Sequence, residues 1–559
     1  MQFEDIAKIF ADWEEKKEFE WEYKIDENTY REKKGGLFKQ SLPVVTKPVE
    51  YHGNGEEVFV ISDLHIASGR NEAGVFQGTE NFFADEPFSR FIDYIQGLKK
   101  TSTALLVING DVFDFLRVTD YPGKVRKTSA SKKIKNFLKG HQPIVHYKPT
   151  VAEVDDEFEL WCAELKKIGI KNCSVEYLKQ SISKTEKTYG LETDAYKAIY
   201  KLIKIKKGHP LFFASLAKWL INGNRILILK GNHDLEVYWD EVRNYIRLQL
   251  AQSIADALEE VELKEILEQK VFPRIKFIDD SVVIDNYFYL EHGHRYDKYT
   301  MILDKATLKT NPSQINMPFG SFFNRYVVNR FELYYPYLDK VRPSGNIVPM
   351  LIRDNFPLAL KVIFQQVPFA IRVLSTTGRY IWFMLNRVFW FFLALFIPVI
   401  IIIISRWNWI YALIFLPQPS NVKSIFAQFI AQSGKGVALL VASYFLARIV
   451  GWFQLTEPDS LARYAKGRLQ GSGYRVMTMG HTHNPGEYVF DKDQRFYNTG
   501  TWIPVIETSN ASVRDGFSYT YLHMERDLNN QLQPANGGLL QRWNDDAGRS
   551  DPQLLILSK

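Results

Sequence analysis

The chain has 559 residues and a mass of 65.0 kDa, with 46% apolar and 24% charged residues, values typical of a globular protein with several modules. A net charge of +6 and a mean hydropathy of −0.21 argue against a strongly basic nucleic-acid-binding protein and a polytopic membrane protein. Neither cysteine, Cys162 or Cys173, is in a CxxC motif, so we expect no zinc–thiolate site and no disulfide scaffold. The first residues lack the apolar region of a signal peptide.

Residues 1–35 are dense in Glu, Lys and aromatic residues and predict one or two short surface helices. After them come five short apolar runs, rich in β-branched or aromatic side chains, that each predict a buried strand. These runs are VFVIS at 58–62, LLVIN at 105–109, ILILK at 226–230, YFYLE at 287–291 and VMTM at 476–479. Helical patterns lie between them, so we predict an α/β fold with helices on the faces of a sheet.

The spacing of these runs divides the chain into a core and two insertions. A further strand is predicted at GFSYTYLH, 516–523, and the polar tail from Glu525 is predicted to be loop-like apart from LLIL at 554–557. The predicted segments are an N-terminal helical segment at 1–35, a core at 36–115, 223–296 and 471–525, a helical insertion at 116–222, an amphipathic insertion at 297–379, a membrane hairpin at 380–453 and a tail at 526–559. The core has roughly 200 residues, an ordinary size for one domain.

The membrane prediction depends on the run Val388–Ile404, which is VFWFFLALFIPVIIIII. A helix that crosses a bilayer needs about 20 apolar residues, and extension of this run back to Tyr380 adds one charge, Arg387. A second apolar run covers Val437–Phe453, and Trp and Tyr residues cluster near the ends of both runs, as at membrane interfaces. We therefore predict a membrane-attached hairpin; the alternatives are attachment to one leaflet and a buried hairpin in a soluble protein.

A polar motif with metal-binding side chains directly follows each of the five apolar runs. The motifs are DLH at 63–65, GDVFD at 110–114, GNHD at 231–234, HGH at 292–294 and GHTH at 480–483. Asp, Asn and His offer oxygen and nitrogen ligands that suit Mn²⁺, Fe or Zn²⁺. Because ligand sites of open α/β sheets lie at the carboxyl ends of the strands, we expect these motifs to converge there.

In this order, the motifs resemble those of the calcineurin-like metallophosphoesterase superfamily. The resemblance covers roughly 56–115, 223–296 and 471–523 and leaves both insertions outside it. It implies a four-layer α/β/β/α metallophosphoesterase sandwich around two divalent metal ions, with Mn²⁺ favoured and Fe or Zn²⁺ as alternatives. It also implies hydrolysis of a phosphomonoester or phosphodiester by attack of a hydroxide that bridges the metals.

The resemblance also implies a role for individual residues. It assigns Asp63, His65 and His483 to the first metal, Asp111 to both metals, and Asn232, His292 and His481 to the second metal. His233 would be the catalytic residue that protonates the leaving group, and Asp114 would orient it, the alternative for Asp114 being a turn or capping residue. His294 and Asn498 are expected near the site, behind the ligands, and His294 is equally well explained as a structural residue.

We expect a membrane-attached phosphoesterase with its catalytic domain in the cytoplasm, membrane lipids as partners and no nucleic-acid partner. A helical lid at the same chain position is found in the similar UDP-2,3-diacylglucosamine hydrolases, which favours a lipid-linked substrate, although they lack the histidine that stands at His233. The first alternative is a tethered enzyme for soluble nucleotides or phosphoproteins. A nuclease would depend on the basic run at 124–139, and a non-catalytic scaffold would need a decayed metal site, whereas every expected ligand is present.

Deletion of 380–453, with the ends joined by a flexible linker, tests the membrane prediction. The insertion leaves the core after His292 and returns before His481, so its ends are fixed beside the predicted metal site. We expect the deleted protein to move to the soluble fraction and to keep its activity on a small soluble ester while losing activity on a lipid substrate. If the deleted protein still sediments with membranes after a high-salt wash, the region is not the anchor. If lipid turnover is unchanged, the site does not face the bilayer.

Overall fold

The computed structural model describes residues 3–15, 47–124, 144–329, 461–507 and 518–553, apart from gaps of one or two residues, with short segments at 27–33, 40–43, 126–129, 341–342 and 353–357. The chain divides into one unit of Met1–Val341 with Pro458–Lys559 and another of Arg342–Glu457. Nearly all of the second unit, including the predicted membrane hairpin at 380–453, lies outside the described residues. Within the described ranges, no helix combines the length and the apolar character needed to cross a membrane.

The strands are short, with two to seven residues each. They are β1 (Glu27–Asn28), β2 (Tyr30–Lys33), β3 (Gln40–Pro43), β4 (Val49–Tyr51), β5 (Glu57–Ile61), β6 (Ala104–Asn109), β7 (Arg126–Ser129), β8 (Ile144–Tyr147), β9 (Arg225–Leu229), β10 (Ile275–Ile278), β11 (Ser281–Ile284), β12 (Phe288–Glu291), β13 (Asp304–Lys305), β14 (Val341–Arg342), β15 (Val476–Met479), β16 (Gly486–Asp491), β17 (Gln494–Asn498), β18 (Ile506–Glu507), β19 (Thr520–Arg526), β20 (Leu532–Pro534), β21 (Gln541–Asn544) and β22 (Arg549–Pro552).

The helices lie mostly between β8 and β10. They are α1 (Phe3–Glu15), α2 (Asp85–Leu98), α3 (Val151–Lys167), α4 (Val175–Ser181), α5 (Glu186–Tyr189), α6 (Ala195–Gly208), α7 (Pro210–Ile221), α8 (Asp240–Leu258), α9 (Leu263–Ile266), α10 (Phe319–Phe323) and α11 (Ala462–Ser472). All five strands predicted from apolar runs are confirmed, as β5, β6, β9, β12 and β15, and the later predicted strand overlaps β19.

The larger sheet has the strand order β10-β9-β6-β5-β19-β21-β22, and β20 also pairs with β19. Its first four strands are parallel, and β19 joins β5 in the antiparallel sense. Every residue of β5 and β6 is buried. Parallel strands that are covered on both faces are expected to be apolar along their whole length, which explains why these runs do not alternate with polar residues.

The smaller sheet has the order β16-β17-β15-β12-β11-β4, so two of the predicted strands belong to a sheet of their own. Val58 and Val60 of β5 share one buried cluster with Leu290 of β12 and Val476 of β15, which places the two sheets face to face. Alternate residues of a strand point to opposite faces, and Phe59 accordingly belongs to a second cluster with α2, α7 and α8.

The outer face of the smaller sheet packs against α11. Leu461, Ala465 and Leu469 share a buried cluster with Tyr289 of β12 and Met477 of β15. The described part of the first unit is therefore a mixed α/β sandwich with helices on its outer faces. This confirms the predicted α/β class and replaces the single sheet of the pattern-based prediction with two sheets.

The predicted helical insertion at 116–222 contains α3 to α7, and its helices are part of the main core. Trp161 of α3, Tyr200 of α6 and Trp219 of α7 belong to the same buried cluster as the larger sheet. Arg126 and Lys127 of the basic run at 124–139 lie in β7, which pairs with β8 in the antiparallel sense. Cys162 and Cys173 are free, with their sulfur atoms 3.4 Å apart.

Both chain ends contain more structure than predicted. Ile6 and Phe10 of α1 are buried and Trp13 stacks on Phe272 at 4.3 Å, whereas Lys8 and Asp12 are exposed, so α1 is a surface helix that packs one face on the core. The prediction of a loop-like tail is wrong, because β20, β21 and β22 extend the larger sheet. In β21 only Trp543 is large and apolar, and it packs on Tyr94. A single apolar residue forms no alternating pattern, so the sequence does not predict this strand.

Candidate metal centre

The five motif turns meet at one edge of the sandwich, where the strands that precede them end. The turns after β5, β6 and β9 come from the larger sheet, and those after β12 and β15 come from the smaller sheet. Backbone hydrogen bonds join neighbouring turns within each sheet: Asp63 N donates to Gly110 O at 3.1 Å, and Gly480 N donates to His292 O at 3.0 Å. The site is therefore assembled from both halves of the sandwich.

Asp63, His65 and His483 form one cluster of ligand atoms. His65 Nε2 lies 3.0 Å from His483 Nε2 and 3.7 Å from Asp63 Oδ1, and His483 Nε2 lies 3.3 Å from the same oxygen. All three side chains are buried. One carboxylate oxygen and two imidazole nitrogens within 4.8 Å of one another could hold a metal ion.

Asp111 lies between this cluster and the turn after β12. Its Oδ2 is 3.2 Å from His292 Nε2 and 3.7 Å from His65 Nε2. Asp63, Asp111 and His292 form a second group that could hold a metal ion. Asp111 therefore contacts an imidazole on each side, which is the position expected of a bridging carboxylate.

Two buried atoms of the predicted ligand set lack an ordinary hydrogen bond among the residues that the structure describes: Asn232 Oδ1 has no partner, and His292 Nε2 faces the Asp111 carboxylate at 3.2 Å. His292 Nδ1 lies 2.8 Å from Asn109 O, which leaves Nε2 as the nitrogen that can bind a cation. The backbone carbonyl of Asn232, and not its side chain, accepts from Ser321 Oγ at 2.9 Å. Buried polar atoms are normally satisfied, so these two atoms fit a bound cation.

His481 lies next to these groups and is not a member of them. Its backbone N–H donates to both carboxylate oxygens of Asp63, at 3.2 and 3.0 Å. Its Nε2 lies 3.3 Å from Asp297 Oδ2 and 3.3 Å from Thr300 Oγ1, which leaves Nδ1 as the nitrogen available to a cation. Neither Asp297 nor Thr300 was predicted from the sequence.

His233 and Asp114 form a pair beside the ligand clusters. His233 Nδ1 lies 2.9 Å from Asp114 Oδ2, and His65 Nδ1 and Arg117 Nε lie 3.4 and 3.2 Å from the same oxygen. Asp114 is fully buried, whereas the His233 side chain is 19% exposed. His233, Asp114 and His65 make up a third group that could hold a cation, although the other contacts of Asp114 favour an orienting carboxylate.

The backbone of the site is strained at the ligands themselves. Five of the predicted ligands have left-handed φ values, namely Asp63 (55°), His65 (51°), Asp111 (54°), His481 (69°) and His483 (57°). Such conformations cost roughly 1–3 kcal/mol each in residues other than glycine and concentrate at functional sites. At Gly231, an added Cβ would overlap the Asp111 carboxylate, so glycine is needed for the close approach of the two turns.

The buried carboxylates and imidazoles of the site shift the pKa values of one another. Burial opposes protonation of His65, but the carboxylates of Asp114, Asp63 and Asp111 outweigh it and raise its pKa to about 10. Burial likewise opposes protonation of His292, and Asp111 and Asp63 raise its pKa to about 9. The pKa of Asp111 is held well below its ordinary value, because His292 and His233 outweigh the effect of burial.

The two residues predicted to stand behind the ligands have different surroundings. Asn498 Nδ2 donates to Gly480 O and to Thr482 Oγ1, both at 2.9 Å, so it holds the GHTH turn from behind. The His294 ring centroid is 5.5 Å from that of His292. Burial and the neighbouring His292 and His481 lower the pKa of His294 well below its ordinary value, which keeps it neutral.

Asp234 is the last residue of the GNHD motif, and no role for it is predicted from the sequence. It accepts from Gly231 N at 2.6 Å and from Val112 N at 2.9 Å, and so it ties the turn after β9 to the turn after β6. Burial and the charge of Asp111 raise its pKa to about 7. Its position directly after His233 in this motif is the sequence signal that could have identified it as a residue of the site.

No protein-family model matches this chain, and no curated protein matches it. The support for a function therefore comes from the motifs and from the geometry of the site. The buried Asp and His groups could hold a metal ion, and their oxygen and nitrogen donors suit Mn²⁺, Fe or Zn²⁺.

Metal binding is expected to release protons. With pKa values of about 10 and about 9, His65 and His292 are protonated at pH 7.5 in the metal-free protein, and a metal binds only the neutral imidazole. We expect about two protons to be released on Mn²⁺ binding, and the affinity to rise with pH until both pKa values are passed. Calorimetry at pH 7.5 in buffers of different ionisation enthalpy measures this release. His65→Gln should release about one proton fewer, and a binding heat that is independent of the buffer would contradict the assignment.

Proposed function

We propose that this protein is a metal-dependent phosphoester hydrolase of the calcineurin-like metallophosphoesterase class. The observation that carries the proposal is the convergence of five motif turns from two sheets on one group of buried carboxylates and imidazoles, with the His233–Asp114 pair beside it. The mixed α/β sandwich is compatible with the four-layer fold of that class. The order of the motifs along the chain supports the same class.

We assign the ligands of two divalent cations, with Mn²⁺ favoured. Asp63, His65 and His483 would hold the first cation, Asn232, His292 and His481 the second, and Asp111 both. The contacts of Asp111 with His65 and His292 support its bridging role. When bound, a pair of such cations supplies an activated water and neutralises charge on the phosphoryl oxygens. The strained turns hold the ligands in place before the substrate arrives.

His233 is suited to protonate the leaving group. Its Nδ1 is held by Asp114, which fixes the ring and leaves Nε2 free of that contact. Its ring meets that of His65 edge to face, with centroids 4.5 Å apart, so it stands next to the first ligand cluster. Partial exposure gives it access to a substrate oxygen, as general acid catalysis requires.

The proposed substrate is a phosphoester that is linked to a lipid. Its support is the predicted membrane hairpin at 380–453, which would bring the catalytic unit to the surface of a bilayer from the cytoplasmic side. The second candidate is a tethered phosphatase or phosphodiesterase for soluble nucleotides or phosphoproteins, which the same hairpin supports. Assays on a phosphomonoester and a phosphodiester, with and without detergent-dispersed lipid, separate the two candidates.

Asp111→Asn is expected to remove most of the bound metal and nearly all activity while the fold is kept. The reason is that Asp111 forms the second ligand group with Asp63 and His292 and also contacts His65 of the first group, and its amide analogue carries no charge to bind a cation. Metal analysis and circular dichroism of the purified variant measure the outcome. Asp285→Asn is the matched control, because Asp285 is in a turn before β12, where it pairs with Arg526 at 2.7 Å. Two full equivalents of metal with normal turnover in Asp111→Asn would refute the assignment.

His233→Ala is expected to keep its metal and to lose activity selectively. General acid catalysis contributes typically 10²–10⁴-fold, so turnover of an alkyl phosphoester, which has a poor leaving group, should fall by about that factor. A p-nitrophenyl ester should be much less affected, because its leaving group departs without a proton. Equal losses on both esters would argue against the proton-donor role of His233.

A further inference from the structure

The segment at residues 297–329, which we call the entry segment, begins the second insertion and contacts two of the proposed metal ligands. Asp297 and Thr300 contact the imidazole of His481, and Ser321 contacts the backbone of Asn232. Both ligands belong to the same cation in the proposed function. Asp297, Thr300 and Ser321 themselves lie outside the five motifs.

We propose that the entry segment completes the second metal site by holding two of its ligands, and that the first metal site does not depend on it. This inference rests on the proposed function, because it takes the assignment of the two cations as given. Asp297, Thr300 and Ser321 are then positioning residues, each of which acts through a ligand.

The contacts of His481 define which nitrogen carries the proton. Thr300 Oγ1 donates its only proton to His294 O at 2.8 Å, so towards His481 it can only accept. Asp297 Oδ2 also accepts, and both oxygens are 3.3 Å from Nε2. The proton of a neutral His481 is therefore on Nε2, and the lone pair is on Nδ1, where a cation can bind it. A carboxylate that orients a metal-binding imidazole in this way also strengthens it as a ligand.

Asp297 is itself held in place. Its side chain is buried, and its Oδ1 accepts from Tyr299 N at 2.9 Å. Its carbonyl accepts from Thr300 N and from Met301 N, at 3.2 and 3.0 Å, which closes a tight turn directly after the HGH motif. The carboxylate that faces His481 is therefore fixed by the backbone of the entry segment.

The same segment reaches the second ligand through α10. Gly320 N donates to Tyr299 O at 2.6 Å, which joins the start of α10 to the turn at Asp297. The next residue, Ser321, is buried and donates from Oγ to Asn232 O at 2.9 Å. The hydrogen bond holds the backbone of Asn232, whose buried side-chain Oδ1 has no hydrogen-bond partner among the described residues.

The far end of the entry segment is anchored on the first helical insertion. The buried guanidinium of Arg325 donates to Glu192 Oε2 and to Gly190 O, both at 2.7 Å. Asn329 Nδ2 donates to Leu116 O at 2.7 Å. The segment is thus fixed at both ends and in the middle, which makes it a rigid support for the two ligands.

The ligands of the first cation have their supports in the core. The Asp63 carbonyl accepts from Trp502 N at 3.1 Å and from Thr501 Oγ1 at 2.8 Å. His65 Nδ1 faces Asp114 at 3.4 Å, and His65 N donates to Asp111 O at 2.9 Å. None of these contacts involves the entry segment, so damage to that segment should affect one cation and spare the other.

The test is Mn²⁺ binding to the full chain in detergent, measured by calorimetry and by electron paramagnetic resonance. We expect the wild-type protein to bind two equivalents and to give an exchange-coupled spectrum. In Asp297→Asn, the second equivalent should bind about 10- to 100-fold more weakly, and the first should be unchanged. At subsaturating Mn²⁺ the variant should show the spectrum of isolated Mn²⁺.

Two further variants and one control complete the design. Thr300→Val and Ser321→Ala each remove one hydroxyl with little change in shape, and each should weaken the second equivalent in the same direction. Asp285→Asn makes the same chemical change as Asp297→Asn at the opposite end of β12, where the carboxylate accepts from Gly53 N at 2.8 Å. It should bind both equivalents as the wild type does.

The possible outcomes separate this inference from the proposed function. A wild-type protein that binds no Mn²⁺, or a single equivalent, contradicts the proposed function itself. If the wild type binds two equivalents and the folded entry-segment variants do so with unchanged affinity, the inference is overturned and the proposed function stands. Parallel loss of both equivalents in a folded variant also overturns it, because the difference between the two sites is then absent. If Asp297→Asn does not fold, Thr300→Val and Ser321→Ala decide.

Discussion

Burial of two carboxylates at one point, Asp63 and Asp111, is the constraint on which the rest of the site depends. A buried charge costs several kcal/mol unless it is paired and hydrogen-bonded. Here the pairing comes from imidazoles of both sheets and from backbone N–H groups, such as that of His233, which donates to Asp111 at 2.8 Å. In the metal-free protein, protons on His65 and His292 neutralise the cluster. A bound cation would take over the same task, so the requirements of folding and of the proposed chemistry coincide.

The turns that carry these groups are held in costly conformations by the strands around them. A left-handed residue such as His65 persists only where its surroundings fix it, and its N–H is indeed bonded to Asp111 O. Strands β5 and β6, buried along their whole length, end directly before the first two ligand turns. The favourable free energy of burying the strands therefore offsets the conformational free energy that the left-handed residues of the turns cost. This division explains why apolar runs and polar motifs alternate so sharply along the chain.

Much of this could be predicted from local patterns, and the failures have physical causes. Short apolar runs that are followed directly by DLH or GNHD identify both the strand and the ligands, because the buried residues and the ligands are adjacent in the chain. The sheet to which a strand belongs is a long-range property, so β12 and β15 were not separated from β5. Trp543 anchors β21 without any apolar neighbours to form a pattern. Asp297 and Thr300 meet His481 only in three dimensions, and a lone polar residue carries no signal of its distant partner.

Assembly from two sheets also sets the order in which the site can form during synthesis. His65 and His483 are 418 residues apart in the sequence, yet their Nε2 atoms are 3.0 Å apart in the fold. A ribosome therefore makes the first half of the ligand set long before the second half. The segment at 380–453 emerges in between, so a chain that uses it to engage a bilayer does so before the cluster is complete. Until His483 has been synthesised, the ligand set proposed for the first cation is incomplete, so full occupation of that set can only follow synthesis of the GHTH motif.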